Sequence, residues 1–356
     1  MEATERAAVC TEDSLERFWT GPHDNESTGN KSVFLNDVLR FICRLLFTDI
    51  NLYFAIVLKI AFDPIYAHPL PEGHRFPMLK YELIPGQLLY EGLITEENIF
   101  SSAAVAEDII LLTHEKEYWE NLRDLTLGPR EVRRIGFPLT AQLVERERRI
   151  AQGTIDGCMY AREYGVAFNV AGGTHHAGSN WGEGFCLLND QAVAANYLLS
   201  NRLASSVLII DLDVHQGNGT AQIFENVPEV FTLSIHAEKN FPFRKERSDL
   251  DIGLDLGTGD EAYLQILTST LEPLFSRLKP DFVFYLSGVD VLATDKLGHL
   301  ALSREGCRER DRRVFELCKK YEIPVQVSMG GGYSKRITDI VEAHCNTFRV
   351  AHSLYF

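Results

Sequence analysis

The sequence predicts an α/β fold: one domain built on a mainly parallel sheet with helices on both faces. Two observations carry this reading. From residue 59 onward, short apolar, β-branched runs alternate with longer stretches of helical periodicity, the pattern of a parallel sheet joined by crossover helices. The run VLIIDL at 207–212 is apolar on consecutive residues, as a strand buried on both faces requires. No internal repeat or long linker divides the later chain, so residues 51–356 read as one domain and residues 1–50 as an extension.

In chain order, residues 1–32 are polar and read as a flexible leader, and residues 33–47 carry apolar positions at helical spacing. The apolar run 51–58 follows and should lead into the first strand. Asp49 and Lys59 limit the uncharged stretch to nine residues. A membrane span needs about twenty, so a docked helix followed by a strand is expected rather than a crossing. From Lys59 the chain reads as a strand, a loop rich in Pro and His, and a helix. Residues 107–114 and 117–125 read as a further strand and helix. A long helix over 141–164 should stop at Gly165, where a residue without Cβ can end it. Strands are then expected at 166–170, 207–212, 230–235, 282–286 and 325–329. The helices expected between and after them cover 190–200, 261–278, 304–321 and 335–353.

Composition bounds the function. The 356 residues include 50 acidic against 35 basic ones, a net charge of −15 that opposes general affinity for nucleic acid or anionic membrane. Seven cysteines without a CxxC pair predict reduced thiols and an intracellular, cytoplasmic protein, nuclear if the source is eukaryotic. The first residues lack the basic-then-apolar layout of a signal peptide.

Four expected strands end in chemistry. After VLIIDL come Asp211, Asp213 and His215 at alternate positions, which an extended backbone points the same way. Carboxylates plus imidazole with an open position suit a catalytic divalent ion such as zinc. A single Asp at a strand end would merely cap the next helix; three spaced donors ask for more. Strand 282–286 runs into SGVDVLATDKLG, where Asp290 would complete a two-Asp, one-His set and Asp295 is a second candidate. Strand 166–170 runs into AGGTHHAGSNWGEGFCLLND, with His175 and His176 in a glycine-rich loop. An isolated His pair is ordinarily two loop residues, but these lie at the edge that carries Asp213, and histidine works as acid or base near neutral pH. Gly184 and Phe185 read either as core packing or as an aromatic wall of a narrow channel. Strand 325–329 runs into GGGYSKR, presenting Tyr333, whose phenol could donate to an oxyanion.

These motifs, in this order and together with IDLDVHQGNGT and GTGDEAY, resemble the zinc-dependent histone deacetylase family over residues 58–356. The HQGNG and SGVDVL versions look most like its class IV branch and bacterial relatives. The resemblance implies an arginase-like fold with an eight-stranded sheet and the hydrolysis of acyl-lysine amides. One zinc would be held by Asp213, His215 and Asp290. His176 would be the general base for the attacking water, and His175 would stay protonated or help protonate the leaving amine. Asp211 would hold His175 and help form a structural potassium site with Ser234. Asn218 would partner His176 where class I members carry Asp, and Tyr333 would polarise the scissile carbonyl. Phe185 and Phe241 would line the acyl-lysine tunnel, with Gly184 below Phe185. Arg75, in GHRFP, matches an arginine near the internal product channel.

The expected partners are acylated lysine side chains of proteins, histones among them, or small acetylated amines, and the acidic net charge would suit a cationic substrate. A two-manganese amidinohydrolase is disfavoured because Asn218 and Gln216 stand where further carboxylate ligands would be wanted. An acetyl-polyamine hydrolase and a long-chain acyl-lysine hydrolase of the same fold stay open. A non-enzymatic scaffold is the remaining alternative, against which Tyr333, His176 and the three ligands all stand.

Overall fold

A computed structural model describes residues 57–356; the helix expected over 33–47 and most of the run 51–58 lie outside the described residues. Eight strands are present: β1 Lys59–Ala61, β2 Ile99–Phe100, β3 Val166–Asn169, β4 Val207–Asp211, β5 Val230–Ala237, β6 Leu250–Leu254, β7 Phe282–Leu286 and β8 Val325–Ser328. They form one sheet in the order β2-β1-β3-β8-β7-β4-β5-β6, and every pairing is parallel. The described helices are α1 Lys80–Tyr90, α2 Glu107–Ile110, α3 Lys116–Arg123, α4 Pro129–Ile135, α5 Ala141–Tyr164, α6 Asp190–Ser200, α7 Asn218–Phe224, α8 Asp260–Leu278, α9 Arg304–Lys320 and α10 Ile337–Tyr355.

Burial explains why the central strands read as unbroken apolar runs. Every residue of β3, β4, β7 and β8 is buried, because helices cover both faces of the sheet. Neighbours on β3 show this directly. Asn169 donates from Nδ2 to the Ile150 carbonyl of α5 at 3.0 Å, whereas Phe168, one residue earlier, stacks on Phe348 of α10 with centroids 4.2 Å apart. Successive side chains of a strand point to opposite faces, so α5 and α10 lie on opposite sides of the sheet. At the edge, β6 alternates between exposed and more buried positions, and the periodicity expected of a doubly covered strand is absent there.

The long helix α5 begins and ends as the residues dictate. Thr140 accepts from Leu143 N at 3.1 Å, and Gly165 closes the helix with a left-handed φ of 88°. One expected element differs. The strand read over 107–114 is instead the short helix α2, with Glu107 and Asp108 in its first turn and Ile110 buried. A short apolar run does not separate a strand from a buried helical turn, and acidic residues at a helix start favour the latter.

A parallel sheet brings all its carboxyl ends to one edge. The loops after β3, β4, β7 and β8, four adjacent strands, therefore meet there, although they come from residues more than 150 positions apart.

Candidate active site and metal centre

At that edge, Asp213, His215 and Asp290 are buried, and one ligand atom from each lies within 4.8 Å of the others. Asp211 of β4 is the register partner of Leu286 of β7, so the loops leaving the two strands run side by side. His215 Nδ1 lies 2.9 Å from Asp213 Oδ1 and 3.3 Å from Asp290 Oδ2. Asp290 Oδ1 accepts from Val214 N at 3.0 Å, while its Oδ2 is buried without a hydrogen bond. Two buried carboxylates this close are costly unless a cation joins them. Burial, then the charge of Asp213, pushes the Asp290 carboxyl up to about 7. Burial opposes a charged His215, but the hydrogen bonding and charge of Asp213 and Asp290 together outweigh it and take the imidazole up to about 10. An orphaned oxygen, a second carboxylate and an imidazole in one dry cluster are a donor set that fits a divalent ion.

Gly331 makes the cluster possible. Its N–H donates to Asp213 Oδ2 at 2.8 Å, and a Cβ there would fall 2.0 Å from Asp290 Oδ2. Any side chain would displace the carboxylates. Asp295, the second candidate ligand, is used otherwise: it accepts from the backbone N–H groups of Leu297 (2.8 Å), Gly298 (3.0 Å) and Tyr333 (2.5 Å), tying two loops together.

The adjacent histidines are buried, with centroids 4.1 Å apart, and held differently. His175 Nδ1 lies 2.7 Å from Asp211 Oδ2. Burial alone would lower its basicity, but the Asp211 and Asp213 carboxylates prevail and hold it above its ordinary value. His176 Nδ1 lies 2.7 Å from Asn218 Oδ1, a neutral partner. Burial, then His175 and His215, keep His176 well below its ordinary value, so it is neutral. Tyr333 is buried, and its phenol is pushed well up by that burial and by Asp290 and Asp213, so it stays protonated and can donate.

Phe185 and Phe241 line a cavity of about 290 Å³ that leads in to His176, His215 and Tyr333. The Phe241 ring lies 4.9 Å from His176, and the Phe185 ring 6.1 Å from Tyr333. Gly184 has φ 57°, and a Cβ on it would meet His176 at 2.7 Å and Phe241 at 3.1 Å, so it must be small at the tunnel base. Arg75 is where the sequence reading needs correction. It is exposed at the outer mouth, with its guanidinium 5.0 Å from the Phe185 centroid. The small inner recess, about 40 Å³, is lined instead by the buried Arg146 of α5. The GHRFP segment holds its arginine outside because His74 and Phe76 turn inward: His74 Nε2 lies 2.9 Å from the Gly136 carbonyl, and Phe76 packs 5.1 Å from Phe185. Ser234 and Asp211, expected to share a potassium site, are register partners, and the Ser234 hydroxyl is 3.0 Å from His236 Nδ1.

Three residues at the site escaped the sequence reading. Glu183 is buried, accepts from Asn218 Nδ2 at 2.5 Å and pairs with Arg134 at 2.7 Å. Lys80 of α1 is fully buried under Tyr333, donates to the Gly330 carbonyl at 2.9 Å, and is brought down to about 8 by that burial despite Asp290 and Asp213. Arg146 pairs with Glu147 and donates to the Tyr66 carbonyl at 2.7 Å. Only Glu183 carried a sequence signal, a charged residue inside the glycine-rich GEGF turn. Among the described residues, five cysteines are buried and unpaired, and no helix is long and apolar enough to cross a membrane.

Comparison with known proteins agrees with this geometry. The chain superposes on a crystal structure of an HDAC homolog complexed with SAHA with a TM-score of 0.72, covering 83% of this chain and 84% of that one at 24% identity. An uncharacterized protein of Picosynechococcus sp. is 46% identical over 296 residues, spanning 83% of this chain and 99% of the relative. Histone deacetylase 2 of Arabidopsis thaliana is 30% identical over 278 residues, 75% of this chain and 72% of its own length. With the family model for the histone deacetylase domain matching residues 74–348, this chain belongs to the histone deacetylase family.

Proposed function

We propose that the protein hydrolyses the amide of acylated lysine side chains with one zinc ion held by Asp213, His215 and Asp290. The carrying observation is the convergence of that cluster with neutral His176 and protonated Tyr333 at the base of a cavity lined by Phe185 and Phe241. The name of the Arabidopsis relative, histone deacetylase, supports lysine as the acyl carrier.

An amide is a poor electrophile with a poor leaving group. When bound, the zinc supplies Lewis acidity and a water acidic enough to ionise near neutral pH. The chain's own groups supply the proton traffic. Asn218 donates from Nδ2 to Glu183, which turns its Oδ1 to His176 Nδ1. An amide oxygen can only accept, so Nδ1 of His176 carries the hydrogen and Nε2 is left with a lone pair. That lone pair takes the proton of the attacking water as the water oxygen bonds to the acyl carbon. Tyr333 donates its phenolic hydrogen to the oxyanion that develops. As the C–N bond breaks, His176 hands the proton it took from the water to the departing amine and returns to its neutral form, while Asp211 beside His175 Nδ1 favours the protonated form of that neighbour. The products are a carboxylate and the free lysine amine.

A panel of acetyl-lysine, long-chain acyl-lysine and acetyl-polyamine substrates, each with and without zinc, tests the reading. Release of free lysine amine only after zinc addition is the expected result. Equal turnover in the metal-free protein, or turnover of none of the acyl-lysine substrates, would remove it.

A further inference from the structure

The mouth of the cavity differs in charge from the molecule that carries it. The whole chain has a net charge of −15. Yet the ionisable side chains at the outer rim are Arg75, Arg134 and His299, and among the described residues no carboxylate lines the cavity. Arg134 is neutralised by Glu183 and lies over Trp181, so among the described residues the free positive charge at the rim is Arg75. Its guanidinium is exposed over Phe185, with no carboxylate within ion-pair distance among the described residues. Across the mouth, Phe243 is 92% exposed and lies 6.4 Å from Phe241, so the rim is aromatic as well as cationic.

We propose that this rim, through Arg75, selects acyl-lysine residues set beside carboxylate side chains and disfavours basic segments and acetylated polyamines. The inference rests on the acyl-lysine reading above. A lysine reaches the site on a flexible four-carbon stem. With that stem between Phe185 and Phe241, the substrate backbone arrives level with Arg75 and Phe243. A flanking carboxylate then meets an unpaired guanidinium, which prefers planar, bidentate oxygen partners. A flanking ammonium meets like charge. A polyamine carries its ammonium within the stem itself and would pass the Phe185 ring, whose face Arg75 already occupies. The acidic net charge of the chain is thus a poor guide to the substrate, because a Debye length of about 8 Å screens the distant carboxylates while Arg75 lies at the opening.

The test is fluorescence anisotropy on the full chain, with acetyl-lysine peptides flanked by glutamates or by lysines and acetylspermidine as competitor. The expected result is a Kd about two- to fivefold lower for the acidic peptide, within the range of an exposed charge pair, with the gap narrowing as salt is raised. In Arg75→Glu the preference should vanish or reverse. Equal affinity, tighter binding of the basic peptide, failure of the acidic peptide to bind, or an unchanged gap in Arg75→Glu would each overturn the inference. Turnover of the same peptides by zinc-loaded protein is read separately. A binding preference that persists without hydrolysis would uphold the rim and sink the proposed activity.

Discussion

Glu183 accepts a hydrogen bond of 2.5 Å from the amide of Asn218, and that bond determines which atom of Asn218 faces His176. A carboxylate partner for a histidine needs no such support, since both its oxygens accept. An asparagine can turn either way, and here a second carboxylate removes the choice.

Glu183→Ala should therefore release the Asn218 amide and lower kcat by about tenfold or more, part of the 10²–10⁴ that a positioned base contributes. Zinc stoichiometry should be unchanged, because Glu183 does not touch Asp213, His215 or Asp290. Steady-state kinetics beside metal analysis checks this; an unaltered kcat and pH profile would make Glu183 a loop anchor only.

The buried Asp213, His215 and Asp290 cluster predicts a dependence of stability on pH. Asp290 titrates near 7 in the metal-free folded protein, above the ordinary carboxyl value, so the folded state holds a proton there that the unfolded state has already lost. Its contribution is thus present at low pH and lost as pH rises towards 7. Asp290→Asn, which mimics the protonated form, should melt higher than wild type when both are metal-free at pH 8, by on the order of a few kcal/mol. The gap should close as pH falls below 7. With zinc the order should invert, since the variant loses a ligand. Thermal melts across pH with and without chelator decide it, and a gap independent of pH would contradict the assignment.

Tyr333→Phe should keep zinc and substrate binding but lose about 10²–10³-fold in kcat, the scale for one oxyanion donor. Calorimetric binding of an uncleaved substrate analogue separates this from a folding defect. Unchanged turnover would exclude the phenol from the reaction.

Arg310 of α9 is buried and donates to the Gly288 carbonyl at 2.6 Å and the Leu212 carbonyl at 3.2 Å, clamping the two loops that carry Asp213 and Asp290. It also pairs with buried Asp311, which in turn accepts from Tyr285 and Thr347. Arg310→Met should cost about 3–5 kcal/mol of stability, because it leaves a buried charge uncompensated. It should also weaken zinc binding by loosening the clamp. Denaturant unfolding and metal titration measure the two effects, and a loss under 1 kcal/mol would mean the pair is not held as drawn.

Every reactive group singled out in the sequence lies after residue 58. A chain beginning at Asp49 should retain zinc and turnover per folded molecule. Should it fold and bind zinc yet turn over nothing, residues 1–48 contribute to the site and the proposed domain boundary at 50–51 moves.

Much of this protein is legible before any folding is considered, and the reason is local. The apolar run leading to Asp211 marks the strand end that carries the site, although Asp213 and His215 lie in the bend just beyond β4, and burial on both faces writes β3, β4, β7 and β8 as apolar runs. Four such runs ending in His, Asp or Tyr beside glycines mark one sheet edge, because parallel strands end together. What the linear order could not decide is which side chains meet across that edge. The opposing positions of Arg75 and Arg146, one exposed on Phe185 and one buried under the inner recess, depend on how a loop and a helix sixty residues on pack around Phe76 and Phe137. Lys80 reads as an ordinary polar position of α1, and only docking beneath the Gly330 loop buries its ammonium. Asp290 is the expected ligand and Asp295 the second candidate; the β4–β7 pairing brings Asp290 to Asp213 and His215, and the Tyr333 backbone takes Asp295. Alternation along a strand is set by covalent geometry and can be read from residues, whereas these contacts are set by packing between segments distant in the chain and exist only in the folded structure.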